Sequence, residues 1–117
     1  MQYIFPAVIT HDNKDRVYYV DFPDTEDYFG CYTDGNNLYE ALCNADDVLN
    51  LMLLGAEKAN NPIPSASDIR DIIAKAPEGA IVTLVKADTE AYAKRLADLK
   101  AARVDVDEEP ELAVNIA

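Results

Sequence analysis

At 117 residues, half of them hydrophobic, the chain is sized for one domain and has enough apolar side chains to fold around a modest core rather than stay disordered. Twenty-two acids against ten lysines and arginines leave a formal net charge of −12, which repels nucleic acid at long range and attracts a basic partner. No apolar run approaches the roughly 20 residues of a membrane helix, and the start Met1-Gln2-Tyr3-Ile4-Phe5-Pro6 lacks the basic opening of a signal peptide, so a cytoplasmic protein is expected.

Residues 2–10 and 15–22 favour strands. Tyr3, Phe5, Ala7 and Ile9 alternate with Ile4, Pro6 and Val8, and Val17-Tyr18-Tyr19-Val20 adds β-branched and aromatic types suited to a pleated surface. The polar His11-Asp12-Asn13-Lys14-Asp15 between them reads as a hairpin turn. Pro6 has no donor for a ladder and belongs at an edge or a bulge. A third strand is expected at 28–33, after the turn-rich Pro23-Asp24-Thr25-Glu26-Asp27.

Asp34-Gly35-Asn36-Asn37 closes the sheet segment, with Gly35 supplying a left-handed turn and Asn37 capping a helix, helped by Glu40 three residues on. Leu38, Ala41, Leu42, Ala45, Leu49, Met52, Leu53 and Ala56 form one apolar face of a helix running from 38 to about 59; Asp46, Asp47 and Asn50 fall outside it and should see water. Pro62 and Pro64 break the helix. A short helix capped by Ser67 is expected over 67–75, a fourth strand over 80–85, and a last helix from Asp88-Thr89-Glu90 with Tyr92, Leu96 and Leu99 on its apolar side. The fold class is therefore α+β: a three-stranded antiparallel meander, a long helix, a fourth strand and a C-terminal helix. From Arg103 the chain turns acidic, through Asp105, Asp107, Glu108, Glu109 and Glu111. Val104-Asp105-Val106 there is compatible with a short strand.

No pattern in the residues points to catalysis. Glycine-rich phosphate loops, clustered histidines and nucleophile elbows are missing from the sequence. Cys31 and Cys43, with His11, match no usual zinc spacing, and both cysteines read as packing residues. Asp24, Glu26 and Asp27 are the densest acidic group before a strand and are read as a solvated turn rather than a cation site. The tyrosines sit mostly at strand positions and read as core, not as a stacking platform for bases. No cofactor or metal is expected.

The stretch from Phe22 to Ala45 carries more than generic elements. Phe22-Pro23-Asp24, Gly30-Cys31-Tyr32-Thr33-Asp34-Gly35 and Asn37-Leu38-Tyr39-Glu40-Ala41-Leu42 occur in the order and spacing that mark the HicB antitoxins, and the chain resembles that family over about residues 1–96. Phe5-Pro6-Ala7-Val8-Ile9, Tyr18-Tyr19-Val20-Asp21, Pro62-Ile63-Pro64-Ser65 and Val82-Thr83-Leu84-Val85 are similar to its further segments. The resemblance implies a partial ribonuclease-H-like fold without catalytic acids and a partner that is a basic HicA-type toxin cleaving messenger RNA. It also implies a HicB-like domain, bounded here at residues 1–102, and homo-oligomers; the acidic tail over 103–117 is expected to be flexible from its composition and terminal position. Expected toxin contacts are Asp24, Glu26 and Asp27 of the turn and Asp46 and Asp47 of the helix.

Two departures stand out. The loop from Phe22 to Gly30 is longer than in common members, and after Leu96 only 21 residues remain for a C-terminal DNA-binding module. Direct DNA binding is therefore not expected. The alternative, a nucleic-acid-binding regulator, would need a strip made of Lys94, Arg95, Lys100 and Arg103, which spread around the last helix beside Glu90 and Asp98.

Overall fold

The computed structural model describes residues 1–108, with side chains through residue 102. Strands β1 (Gln2–Asp12), β2 (Val17–Asp21), β3 (Tyr32–Gly35) and β4 (Ile81–Asp88) form one antiparallel sheet in the order β3-β2-β1-β4. Helix α1 (Leu38–Lys58) covers its inner face, the short α2 (Ile69–Lys75) lies on the outer face beside β1 and β4, and α3 (Thr89–Glu108) packs along α1. The α+β architecture expected from the sequence is the one observed.

Alternation along the strands decides which side chains meet α1. Phe5, Ala7 and Ile9 of β1, Val20 of β2 and Val85 and Ala87 of β4 are buried, and pairings such as Ile9 with Val20 and Phe5 with Val85 align them across the sheet. Against them α1 sets Ala41, Ala45, Leu49, Leu53 and Ala56. Three alanines on this stripe let the helix lie close to the sheet, and each fully buried leucine contributes about 1.5–3 kcal/mol. Asn37 caps α1 by accepting from the Glu40 amide at 2.8 Å, and the Glu40 carboxylate accepts from the Asn36 amide at 2.7 Å. At the other end Asn60 takes φ +58°, and the Asn61 amide reaches back to the Ala56 carbonyl at 2.9 Å, a left-handed stop.

Pro6 sits in a central strand yet meets the expectation for an edge residue. The β1–β2 register ends at Val8 opposite Asp21, so at Pro6 only β4 runs alongside. Elsewhere the boundaries moved. The first strand reaches Asp12, which puts His11 in the ladder opposite Tyr18 rather than in the turn. The fourth reaches Asp88 because β1 pairs with it along almost its whole length, down to Gln2. The third begins at Tyr32, not 28. Thr25 explains the delay: its hydroxyl donates to the Phe22 carbonyl and accepts from the Cys31 amide, both at 2.8 Å, while its carbonyl accepts from the Tyr28 and Gly30 amides. Residues 22–31 thus close into a compact loop in which Gly30 has φ +58°.

Four further readings are corrected. Gly35 is not left-handed; an added Cβ would strike the backbone of Ala41, so glycine is needed for close approach of β3 to α1. Asp68, not Ser67, caps α2, accepting from the Arg70 amide at 2.9 Å. Asn50 does not see water: it is 5% exposed, donates to the Asp46 carbonyl at 2.8 Å and accepts from the Asp88 amide at 3.0 Å, tying α1 to the end of β4. Residues 104–106 belong to α3, which continues to Glu108; the rest of the acidic tail, 109–117, lies outside the described residues.

Candidate docking surface

The outer face of the sheet is where charge and exposed aromatic surface coincide. The register of β1, β2 and β3 places Val8, Thr10 and Asp12 beside Asp21, Tyr19 and Val17, and then Tyr32 and Asp34 beside Asp21 and Tyr19. Tyr19 is 41% exposed and Tyr32 is 73% exposed. The reading of the tyrosines as core holds for only part of the seven: Tyr92 is buried and Tyr3 and Tyr18 pack against the core, whereas Tyr19, Tyr28, Tyr32 and Tyr39 are exposed. No lysine or arginine occurs in β1, β2 or β3.

Between this face and α2 opens a cleft of about 510 Å³, bordered by Tyr19, Asp21, Asp24, Glu26, Ile72 and Lys75. Partial burial raises the Asp21 carboxyl above its ordinary range, and the Glu26 charge adds to the shift. Partial burial also raises the Tyr19 phenol, with contributions from Asp15, Asp12 and Asp34. A cation entering here would relieve that repulsion and favour the ionised carboxylate. Such a face is suited to arginine and lysine side chains, with the tyrosine rings as amphipathic contact area.

The structure distributes the five expected contact acids over three places. Asp24 is half-buried and engaged within the chain, accepting from the Ser67 amide at 2.8 Å and from the Ser67 hydroxyl. Glu26 is exposed and belongs to the cleft. Asp27 lies on the other flank, in a groove with Tyr28, Phe29, Leu51 and Met52. Asp46 and Asp47 sit at the α1–α3 side, where Asp46 is half-buried and Asp47 is 3.9 Å from Arg95. Arg95 also stacks over the Tyr92 ring at 5.1 Å; Lys94 and Lys100 are exposed on α3, and the side chain of Arg103 lies outside the described residues. Among the described residues no three metal-ligating side chains converge, and no helix is long and apolar enough to cross a membrane.

Asp21, Tyr19, Tyr32 and Asp34 were not among the expected contacts. The alternation around buried Val20 already separates Tyr19 and Asp21 from the core, but joining them to Tyr32 and Asp34 requires the β2–β3 register.

A family model for the HicB-like antitoxin of bacterial toxin–antitoxin systems matches residues 5–108. Among solved structures, the chain is similar to a toxin–antitoxin complex from Streptococcus pneumoniae, at 22% identity over 79% of this chain and 73% of that one, with a TM-score of 0.63. The N-terminal domain of the Burkholderia pseudomallei antitoxin HicB aligns at 24% identity over 74% of this chain and 99% of that one, TM-score 0.61. A HicA3 and HicB3 toxin–antitoxin complex contains a chain 25% identical over 74% of this chain and 99% of that one, TM-score 0.57. No curated protein matches the sequence.

Proposed function

The chain belongs to the HicB-like antitoxin family of bacterial toxin–antitoxin systems, and from that premise we propose that it binds and inhibits a basic HicA-type toxin that cleaves messenger RNA, performing no chemistry itself. The observation that carries this reading is the outer sheet face, where Asp12, Asp21 and Asp34 stand with Tyr19 and Tyr32 on strands without a lysine or arginine. A toxin that handles RNA presents a basic surface around its active site. An acidic face competes for that surface and excludes the substrate.

The proposed contacts divide by role. Asp21, Asp34 and Glu26 pair with toxin cations, and Tyr19 and Tyr32 fill the space between them. Asp24 holds the rim of the cleft through Ser67. Asp27, Asp46 and Asp47 lie outside this face and contribute to long-range steering, within the cytoplasm, through the net charge.

The test uses a HicA-type toxin, sought as the product of the adjacent reading frame. Binding is measured by calorimetry for the wild type, for Asp21→Lys with Asp34→Lys, and for Asp46→Lys with Asp47→Lys. The first pair should weaken affinity by about tenfold or more with an unchanged melting temperature; the second should mainly slow association. Equal affinity in all three would refute the assignment of the outer face.

A further inference from the structure

The loop that links β2 to β3 divides two hollows. Glu26 borders the cleft on the outer sheet side, whereas the next two residues, Asp27 and Tyr28, border a groove of about 450 Å³ against the solvent side of α1. Tyr28, Phe29, Leu51 and Met52 make this groove apolar, and Tyr28 and Leu51 keep half of their surface in water. Gly55 lines it too. Its φ is not positive and a Cβ added there would meet nothing within 4 Å, so neither backbone nor packing asks for glycine where it weakens the helix. A larger side chain would grow into the groove; glycine keeps it open.

The crest between the two hollows is stiff. The bonds that gather on Thr25 close the loop from within, and Asp24 is fastened to Ser67. Glu26, Asp27 and Tyr28 therefore stand exposed on a preorganised turn, and a partner that settles on them covers cleft and groove together. We propose that the groove seats a large apolar side chain of the basic toxin (leucine, methionine or phenylalanine), presented next to the cations that engage the outer sheet face.

Continuity and charge choose this occupant. The groove begins one residue beyond the acidic cleft, on the same loop. Among the described residues no lysine or arginine lines it, and Asp27 stands on its rim. A basic segment is steered onto that rim, whereas an acidic one finds no counter-charge there. Exposed ion pairs speed encounter and set register but hold weakly. Lasting affinity resides in a few side chains buried in water-free pockets, and the groove supplies such a pocket beside a face that is mostly charged. The identity of the occupant rests on the toxin reading; the shape of the groove does not.

The experiment is calorimetric titration of a HicA-type toxin with the full chain at low and high salt, with the melting temperature of each variant recorded. Gly55→Leu fills the groove and improves the helix, so it should melt no lower than wild type yet bind about tenfold more weakly or worse. That loss should be the same at both salt concentrations, unlike the loss from Asp21→Lys with Asp34→Lys, which salt screens. Gly55→Ala adds one methyl and should bind within a few-fold of wild type. Leu51→Asp, at an exposed position, carries the test if Gly55→Leu unfolds. A purely electrostatic surface predicts that it binds the basic toxin more tightly; the groove predicts about tenfold weaker binding. Wild-type affinity in a folded Gly55→Leu, or unchanged or tighter binding by Leu51→Asp, overturns the proposal and leaves the toxin reading intact. A wild-type chain that does not bind the toxin overturns both.

Discussion

Thr25 is fully buried, and its hydroxyl is both donor to the Phe22 carbonyl and acceptor from the Cys31 amide. Valine has nearly the same shape but can do neither, leaving the Cys31 amide unpaired inside the protein. Thr25→Val should therefore cost about 1–3 kcal/mol in urea unfolding; a loss below a few tenths would show that the loop is held otherwise. Two ionisable groups predict a second effect. Burial, aided by the Asp21 charge, pushes the Cys31 thiol up from 9.0 to about 12, and burial with the bond to Glu57 pushes the Tyr3 phenol from 10.0 to about 12. The unfolded chain releases both protons first, so it binds fewer protons than the folded chain above pH 9.0, and stability falls as pH rises from there toward 12. Thermal melts from neutral to alkaline pH should trace that decline, and Tyr3→Phe should remove part of it. A melting temperature level to pH 11 would contradict both assignments.

The two long helices were legible because their signals are local. Asn37, Glu40 and the apolar stripe of α1 all lie within one segment, and the prolines mark its end. What could not be read locally depended on partners far along the chain. Asn50 looked solvent-facing on its own helix because the group that covers it, the amide of Asp88, lies 38 residues away. Tyr28 and Phe29 have strand composition, but the bonds around Thr25 hold them in a loop. Ser67 has cap chemistry, yet Asp24 draws it away and Asp68 takes the cap. Gly35 was recognised as indispensable for the wrong reason. Its added methyl would collide with the Ala41 backbone, so Gly35→Ala must push β3 away from α1. A loss of about 1–3 kcal/mol is expected, the range for overpacking a well-filled core. A Gly35→Ala protein as stable as wild type would show that the junction has slack.

At the scale of the whole molecule, sign of charge was legible and its placement was not. Composition argued against nucleic acid, and the basic partner came from the family resemblance, with which the charge agrees; the five acids chosen as contacts fall in three places. The face that gathers acids and tyrosines depends on strand register, which a single sequence reveals only in part. The gathered charge makes binding sensitive to solution conditions. Affinity for the toxin should fall as salt rises, chiefly through slower association. It should also fall on acidification, and begin to do so above the ordinary carboxylate range, because Asp21 in the free chain takes up its proton early and must release it to pair with a cation. Kinetic binding traces against salt and pH check both trends; affinity independent of either would argue for an apolar interface instead.

The most direct measurement is RNA cleavage by the partner HicA-type toxin, titrated with the purified chain. Cleavage should fall in proportion to added chain and stop near equimolar ratio, whereas Asp21→Lys with Asp34→Lys should require a large excess. Undiminished cleavage at saturating wild-type chain would contradict the antitoxin function, and equal inhibition by wild type and variant would contradict the surface proposed to carry it.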